Sequence, residues 1–282
     1  MAEAILVGTS KNPKALINRF DNEFKRFKFN YKLNNKGNIT FLGCDNYDQN
    51  ISPGEFKNLL ANIIADIIIE DWAQILIKRI IRDHYYYFNE EEKKNIREKA
   101  FELLRNDAFS YKPLIRRNNI VHRVIEYLER NQEIVLEGFI NFRLKDYIME
   151  IEDIVDAAVD DFLLEKEYLE FIRLLRYFVE IQEPKINEVH ILLEKNNVFK
   201  LVDRNGKAIE SEYLDGFAVE LMNNSINYED LLISALITLA PRLVVIHLTN
   251  QDEPRDTIKT IENVFGKRVR RCNGCIICSK ER

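Results

Sequence analysis

The sequence predicts an α+β protein, with a large central helical region flanked by N- and C-terminal α/β segments and a βαβ unit near the C-terminus. Three patterns carry this. Apolar residues recur at gaps of three and four throughout the middle of the chain. Short apolar runs bounded by turn residues appear only toward the two ends. Residues 243–272 place a strand, a helix and a second strand in immediate succession. The expected division is a small α/β segment at 1–50, a helical region at 51–184, and a C-terminal α/β segment at 185–282 with a cysteine-bearing tail.

Ala4 to Val7 is a short apolar strand. A helix is expected from Pro13 to about Phe27, because Leu16, Ile17, Phe20 and Phe24 fall on one face. Phe29, Tyr31 and Leu33 alternate, as do Ile39 and Phe41, around Asn35-Lys36-Gly37. Alternation on both sides of a glycine turn is a hairpin.

Ser52-Pro53-Gly54-Glu55 is a helix start. Ser52 caps, Pro53 suits the first helical position, and Glu55 completes a capping box. This helix is expected to reach about Tyr86. Asn89 and Glu92 repeat the capping pattern for the next, and Pro113 opens a third. From Phe139 to Ile181 the spacing predicts one kinked helix or two abutting ones, because the apolar stripe loses register at Glu165-Lys166-Glu167.

After Pro184, strands are expected at Val189–Leu193 and Val198–Val202, with Asn205-Gly206 turning into a third. A helix follows at Tyr228–Leu239, then the strand Leu243–Leu248. Pro254 opens a helix with Ile258, Ile261 and Phe265 inward, ended by Gly266, and Lys267–Cys272 is the last strand. A parallel crossover is expected for this unit. The terminal segments could share one sheet or build separate ones.

Composition bounds function. The chain has 282 residues, is 46% hydrophobic and 31% charged, and can bury a sizeable core. A net charge of −5 argues against general nucleic-acid binding, although Lys267, Arg268, Arg270, Arg271, Lys280 and Arg282 form a local basic cluster. That cluster keeps open a nucleic-acid accessory role for the tail. The N-terminus lacks the apolar core of a secretory signal. Pro241-Arg242 cuts the most apolar stretch below membrane-spanning length. A soluble cytoplasmic protein is expected, whose thiols stay reduced.

Three of the four cysteines lie in the last eleven residues, as Cys272-x2-Cys275-x2-Cys278. Two-residue gaps let thiolates converge on one Zn2+ ion or an iron–sulfur cluster. A fourth ligand must come from elsewhere: His247, His190 and Cys44 are the candidates. Ligands of open α/β sheets sit beyond the carboxyl ends of parallel strands, which is where Thr249-Asn250-Gln251-Asp252 and Cys272 to Cys278 are expected. Thiol redox chemistry and a tail without a specific role remain as alternatives. The plainer reading of His247 is a core or edge histidine.

Other clusters have plainer readings. His84 and Tyr85-Tyr86-Tyr87-Phe88 are expected to close a helix against its neighbours rather than stack on a base. Asp153, Asp156, Asp160, Asp161 and Glu165 are expected to form a solvated face, since no Glu-x-x-His motif accompanies them. Lys112, Arg116, Arg117, His122 and Arg123 could meet that band or a phosphate, with solvent as the default. No Walker A, G-x-G-x-x-G, G-x-S-x-G or H-E-x-x-H motif is present, so no catalytic residue is assigned; an enzyme stays open as a further alternative, with no named reaction.

Three stretches together carry a family likeness. They are Ser52-Pro53-Gly54-Glu55-Phe56 with its helix, Asn141-Phe142-Arg143-Leu144-Lys145-Asp146-Tyr147 running into Phe162-Leu163-Leu164-Glu165-Lys166-Glu167-Tyr168, and Arg271-Cys272-Asn273-Gly274-Cys275-Ile276-Ile277-Cys278. The chain resembles the YtxC sporulation-protein family of endospore-forming Firmicutes over most of its length. The resemblance implies a bacterial cytoplasmic protein linked to spore formation; action by binding or assembly with a protein partner is expected alongside it. It supplies no activity, substrate or catalytic residue.

Overall fold

The computed structural model describes residues 4–11, 13–27, 30–45, 52–105, 113–193, 199–209, 228–247 and 255–275. It has an α+β fold in two compact units, Met1–Leu164 and Glu165–Arg282.

In the first unit, β1 (Ile5–Thr9) is followed by α1 (Pro13–Phe27), the hairpin β2 (Asn30–Lys36) and β3 (Ile39–Asp45), and then α2 (Pro53–Ile67). Gly37 turns the hairpin at φ +61°, a conformation that costs glycine no steric strain. Ser52 caps α2 in both directions. Its hydroxyl accepts from Glu55 N at 3.2 Å, and its own N–H donates to Glu55 Oε2 at 2.8 Å. This is the capping box read from the sequence. The helix continues through a π-helical turn, Ile68–Trp72, into α3 (Ala73–His84). Asn89 and Glu92 then cap α4 (Glu90–Arg105) reciprocally. Next come α5 (Pro113–Arg130), β4 (Glu133–Val135) and α6 (Leu136–Arg143).

The first sheet has the order β2-β3-β1-β4, with β1 antiparallel to β3 and parallel to β4. The sequence did not reveal β4, since three residues are too few to show a period. The apolar stripes meet in one core that includes Phe20, Leu42, Leu60, Ile64, Ile77, Ile96, Val124, Ile134, Ile151 and Val155. Phe88 joins it edge-on against Phe162, while Tyr86 and Tyr87 stay exposed. The aromatic run therefore closes α3 as expected.

The helical break falls at Leu144, between α6 and α7 (Lys145–Ile181). The register loss at Glu165–Glu167 has a different cause. α7 is continuous there, but Phe162 is buried in the first unit's core and Ile172 in the second's. One helix thus serves two cores, and its apolar stripe rotates where the first core ends.

The second unit contains the rest of α7, β5 (Ile186–Leu193), β6 (Phe199–Val202), α8 (Tyr228–Leu239), β7 (Pro241–His247), α9 (Arg255–Phe265), a 3-10 turn (Gly266–Arg268) and β8 (Val269–Arg271). Asp203–Lys207 makes the expected turn, and the third strand is reduced to a bridge between Val202 and Ala208. The sheet order is β6-β5-β7-β8, and β7 pairs in parallel with both β5 and β8. The βαβ unit is therefore present, and the two ends of the chain build separate sheets. Among the described residues, no helix is long and apolar enough to cross a membrane.

Candidate metal centre

The second sheet is apolar on one face. Val189, Ile191, Val244 and Ile246 are buried with Leu236 on α8 and Ile258 and Ile261 on α9. Successive strand side chains point to opposite faces. Glu188 and His190 on β5, and Val245 and His247 on β7, therefore project from the other face. The register sets His190 beside Val245 and Leu192 beside His247, so the two histidines are diagonal neighbours. Both are buried, with 7% and 1% of their surface exposed. They lie on the face opposite the apolar core, so His247 is not a histidine packed into that core.

The two rings meet through their nitrogens. His190 Nδ1 lies 2.7 Å from His247 Nε2. The ring planes differ by 27° and the centroids are 4.9 Å apart, as an in-line, edge-to-edge contact requires. Glu188 Oε1 lies 3.3 Å from His190 Nε2. That nitrogen has no aligned hydrogen-bond acceptor among the described residues, so Glu188 acts on it as a nearby charge.

His247 ends β7. Beside it, β8 pairs Arg271 with Ile246, and the ladder continues one step as Cys272 N–H donates to Ile246 O at 2.8 Å. Cys272 thus emerges next to His247. The following turn bends back through Gly274, at φ +120°, which glycine tolerates and other residues resist. Gly274 N–H donates to Cys272 Sγ at 3.4 Å. Cys275 Sγ reaches 3.6 Å from His247 Nδ1. The donor atoms of His247, Cys272 and Cys275 all lie within 4.8 Å of one another.

This group could hold a metal ion. With Zn–S near about 2.3 Å and Zn–N near about 2.0 Å, tetrahedral coordination separates neighbouring donors by roughly 3.5–3.8 Å. The 3.6 Å contact between Cys275 and His247 already has that separation. Burial pushes the pKa of His247 down from 6.5, His190 pushes it the same way, and Glu188 opposes them. The ring is therefore neutral at pH 7, the form that coordinates metal.

The remaining expectations resolve residue by residue. Cys278, Lys280 and Arg282 lie outside the described residues. Cys44 is buried in the first unit's core, with its thiol directed at Leu42 O, 3.7 Å away. His190 contacts His247 rather than the thiols. In the basic cluster, Arg271 pairs with Glu262 at 2.7 Å and Arg268 donates to Pro241 O at 3.4 Å.

In the first unit, a cavity of about 360 Å³ is lined by Arg116, His122, Arg123, Asp146, Tyr147 and Glu150. Its charges are engaged with one another. Arg116 donates Nε and Nη2 to Glu150 Oε1 and Nη1 to Leu104 O, and Arg123 pairs with Asp146. Arg117 pairs with Asp66. Arg116 is in a buried ion pair, the Arg117 pair is half-buried, and the Arg123 pair is exposed to solvent; Lys112 lies outside the described residues. The acidic residues from Asp153 to Glu165 are exposed, and Asp156 accepts from Tyr85 OH at 2.6 Å.

The sequence model of the YtxC-like family matches residues 58–270, three quarters of the chain. This chain belongs to the YtxC-like family. A family member from Bacillus subtilis (strain 168), described as "Uncharacterized protein YtxC", is 27% identical over 195 residues, covering 67% of this chain and 68% of its own length. No solved structure matches the chain. The family match includes Glu188, His190 and His247 and stops short of Cys272, so the thiols are to be judged on this chain's own geometry.

Sequence reading missed the joining of His190 to His247 and the position of Glu188 beside His190. A signal was present: Glu188-x-His190 puts two polar side chains on one face of an otherwise apolar strand. Their meeting with His247 depended on strand order and register.

Proposed function

We propose that the C-terminal unit carries a structural Zn2+ centre, and that the protein serves spore formation by binding or assembly through the surface this centre holds in place. His247 supplies Nδ1, Cys272 and Cys275 supply thiolates, and Cys278 is the fourth ligand. The observation that carries the reading is the convergence of three donor atoms within 4.8 Å at the carboxyl ends of β7 and β8. One histidine and three thiolates fill a tetrahedral ion, and such closed sites stabilise folds rather than activate water. Donors this close address a single ion, whereas a four-iron cluster spreads its thiolates over separate irons. The link to spore formation rests on the family resemblance alone.

Elemental analysis of the full chain, purified under reducing conditions, tests the centre. A single equivalent of zinc is expected, absent from a Cys272→Ser, Cys275→Ser double variant. Iron with visible thiolate charge-transfer bands would replace zinc in the proposal. Protein free of both metals, even after incubation with Zn2+, would end it.

A further inference from the structure

We propose that His190 and Glu188 are positioning residues of this centre, holding His247 as the tautomer that offers Nδ1 to the metal. The inference rests on the zinc reading and goes beyond it, because it assigns work to two residues that touch no metal.

The bonding pattern follows from counting protons. A neutral imidazole has one N–H donor and one acceptor nitrogen. The 2.7 Å contact between His190 Nδ1 and His247 Nε2 holds one proton between them. If that proton belonged to His190, His247 would carry its own proton on Nδ1, facing Cys275 Sγ at 3.6 Å, and Nδ1 could not coordinate. His190 Nε2 would then be a bare lone pair facing the Glu188 carboxylate at 3.3 Å. With both rings neutral, the reverse arrangement leaves no lone pair facing the carboxylate. His190 keeps its proton on Nε2, toward Glu188. Its Nδ1 accepts from His247 Nε2–H, and the Nδ1 lone pair of His247 faces the thiols.

The fold enforces this pattern. Glu188 and His190 are two residues apart on β5 and so share a face, and the parallel register brings β7 alongside so that His247 lies within reach. Burial of both rings removes water that would otherwise stabilise either tautomer. A histidine ligand whose second nitrogen donates to a fixed acceptor is oriented and made more basic, and losing such a partner costs roughly 10–100-fold in metal affinity.

Two measurements on the full chain test the proposal. Long-range 15N–1H correlation spectra of the metal-free protein read the tautomer directly, with Nε2–H expected for His247. Competition with a chromophoric chelator gives zinc affinity. His190→Phe is expected to weaken zinc by roughly 10–100-fold. His190→Gln is expected to recover most of the loss, since its amide oxygen can accept from His247 Nε2–H. Glu188→Gln is expected to produce a smaller loss.

The cobalt-substituted protein supplies a spectroscopic check. Its d–d bands should shift in His190→Phe and return toward the original in His190→Gln, a pattern that general loosening of the sheet would not give. An Nδ1–H tautomer in the metal-free protein would overturn the proposal. So would unchanged zinc affinity in a folded His190→Phe. Either result leaves the zinc centre standing if the original protein retains metal. Absence of metal from the original protein overturns both readings together.

Discussion

The two units reach stability by different means. The first is an apolar solid: helix stripes and a four-stranded sheet close over Leu60, Ile64, Ile68, Ile77 and Ile96, all essentially inaccessible to water. Its polar devices, such as the α2 cap and the Arg116–Glu150 pair, lie around that core. The second unit has a smaller apolar cluster on one face of its sheet and buries two histidines on the other. A bound metal can staple chain segments that an apolar cluster does not join. A metal tying β7 to the chain after β8 would be such a staple. The apolar residues of the first unit can be exchanged for others of similar volume. On the polar face of the second, the contact between the histidines depends on donor count and direction, so matching volume alone does not preserve it.

The largest effect expected from this contrast is on metal removal. Stripping zinc under reducing conditions should accelerate hydrogen exchange in β7 and β8 while leaving α2 and α5 unchanged. The loss should be several kcal/mol, given that structural zinc supplies about 10–16 kcal/mol in zinc-finger peptides. Equal acceleration in both units, or none in β7, would break the contrast.

A second effect belongs to the first unit. The Arg116 side chain is 4% exposed and that of Glu150 16%. Glu150→Ala leaves a buried guanidinium with only the Leu104 carbonyl, and a cost of about 3–5 kcal/mol is expected. Denaturant titration measures this, and zinc content should stay at its original value. Loss of zinc in this variant would show that the units do not respond separately.

The smallest effect sharpens the picture at a helix end. Ser52→Ala should cost about 1 kcal/mol through loss of the α2 cap. The Glu55 carboxyl is held below its ordinary pKa of 4.5, chiefly by the Ser52 backbone N–H and then by its side chain. A carboxylate lowered on folding contributes its full stability above the unfolded pKa, and that contribution is lost as pH falls through the folded value. The cap's contribution should therefore be intact at neutral pH and shrink on acidification below about 4.5. Denaturant titrations of both proteins at the two pH values would show the gap narrowing. A gap that does not change with pH would show that the hydroxyl contributes independently of the Glu55 charge.

Much of the fold was legible because its signals are local. The Ser52 and Asn89 caps, the Gly37 hairpin and the α8 boundaries each depend on neighbours within one turn of chain. The elements that escaped have causes outside their own segments. β4 exists because β1 offers a parallel edge to three residues. The stripe in α7 rotates because a second core begins, and the π-helical turn at Ile68–Trp72 has no cap or breaker residue to announce it. In the site, the cysteine spacing was visible and so was the placement of Cys272 beyond the carboxyl end of a strand. The directions of the donor atoms were not.

By itself the sequence determined where helices and strands begin, which faces are apolar, and that the three terminal cysteines are separated by two residues each. These follow from short-range sterics, capping chemistry and the periods of the regular structures. Only the tertiary structure decided that His247, Cys272 and Cys275 point at one another and that Glu188 and His190 stand behind them. Those relations depend on strand order and register, which come from how separate parts of the chain pack together.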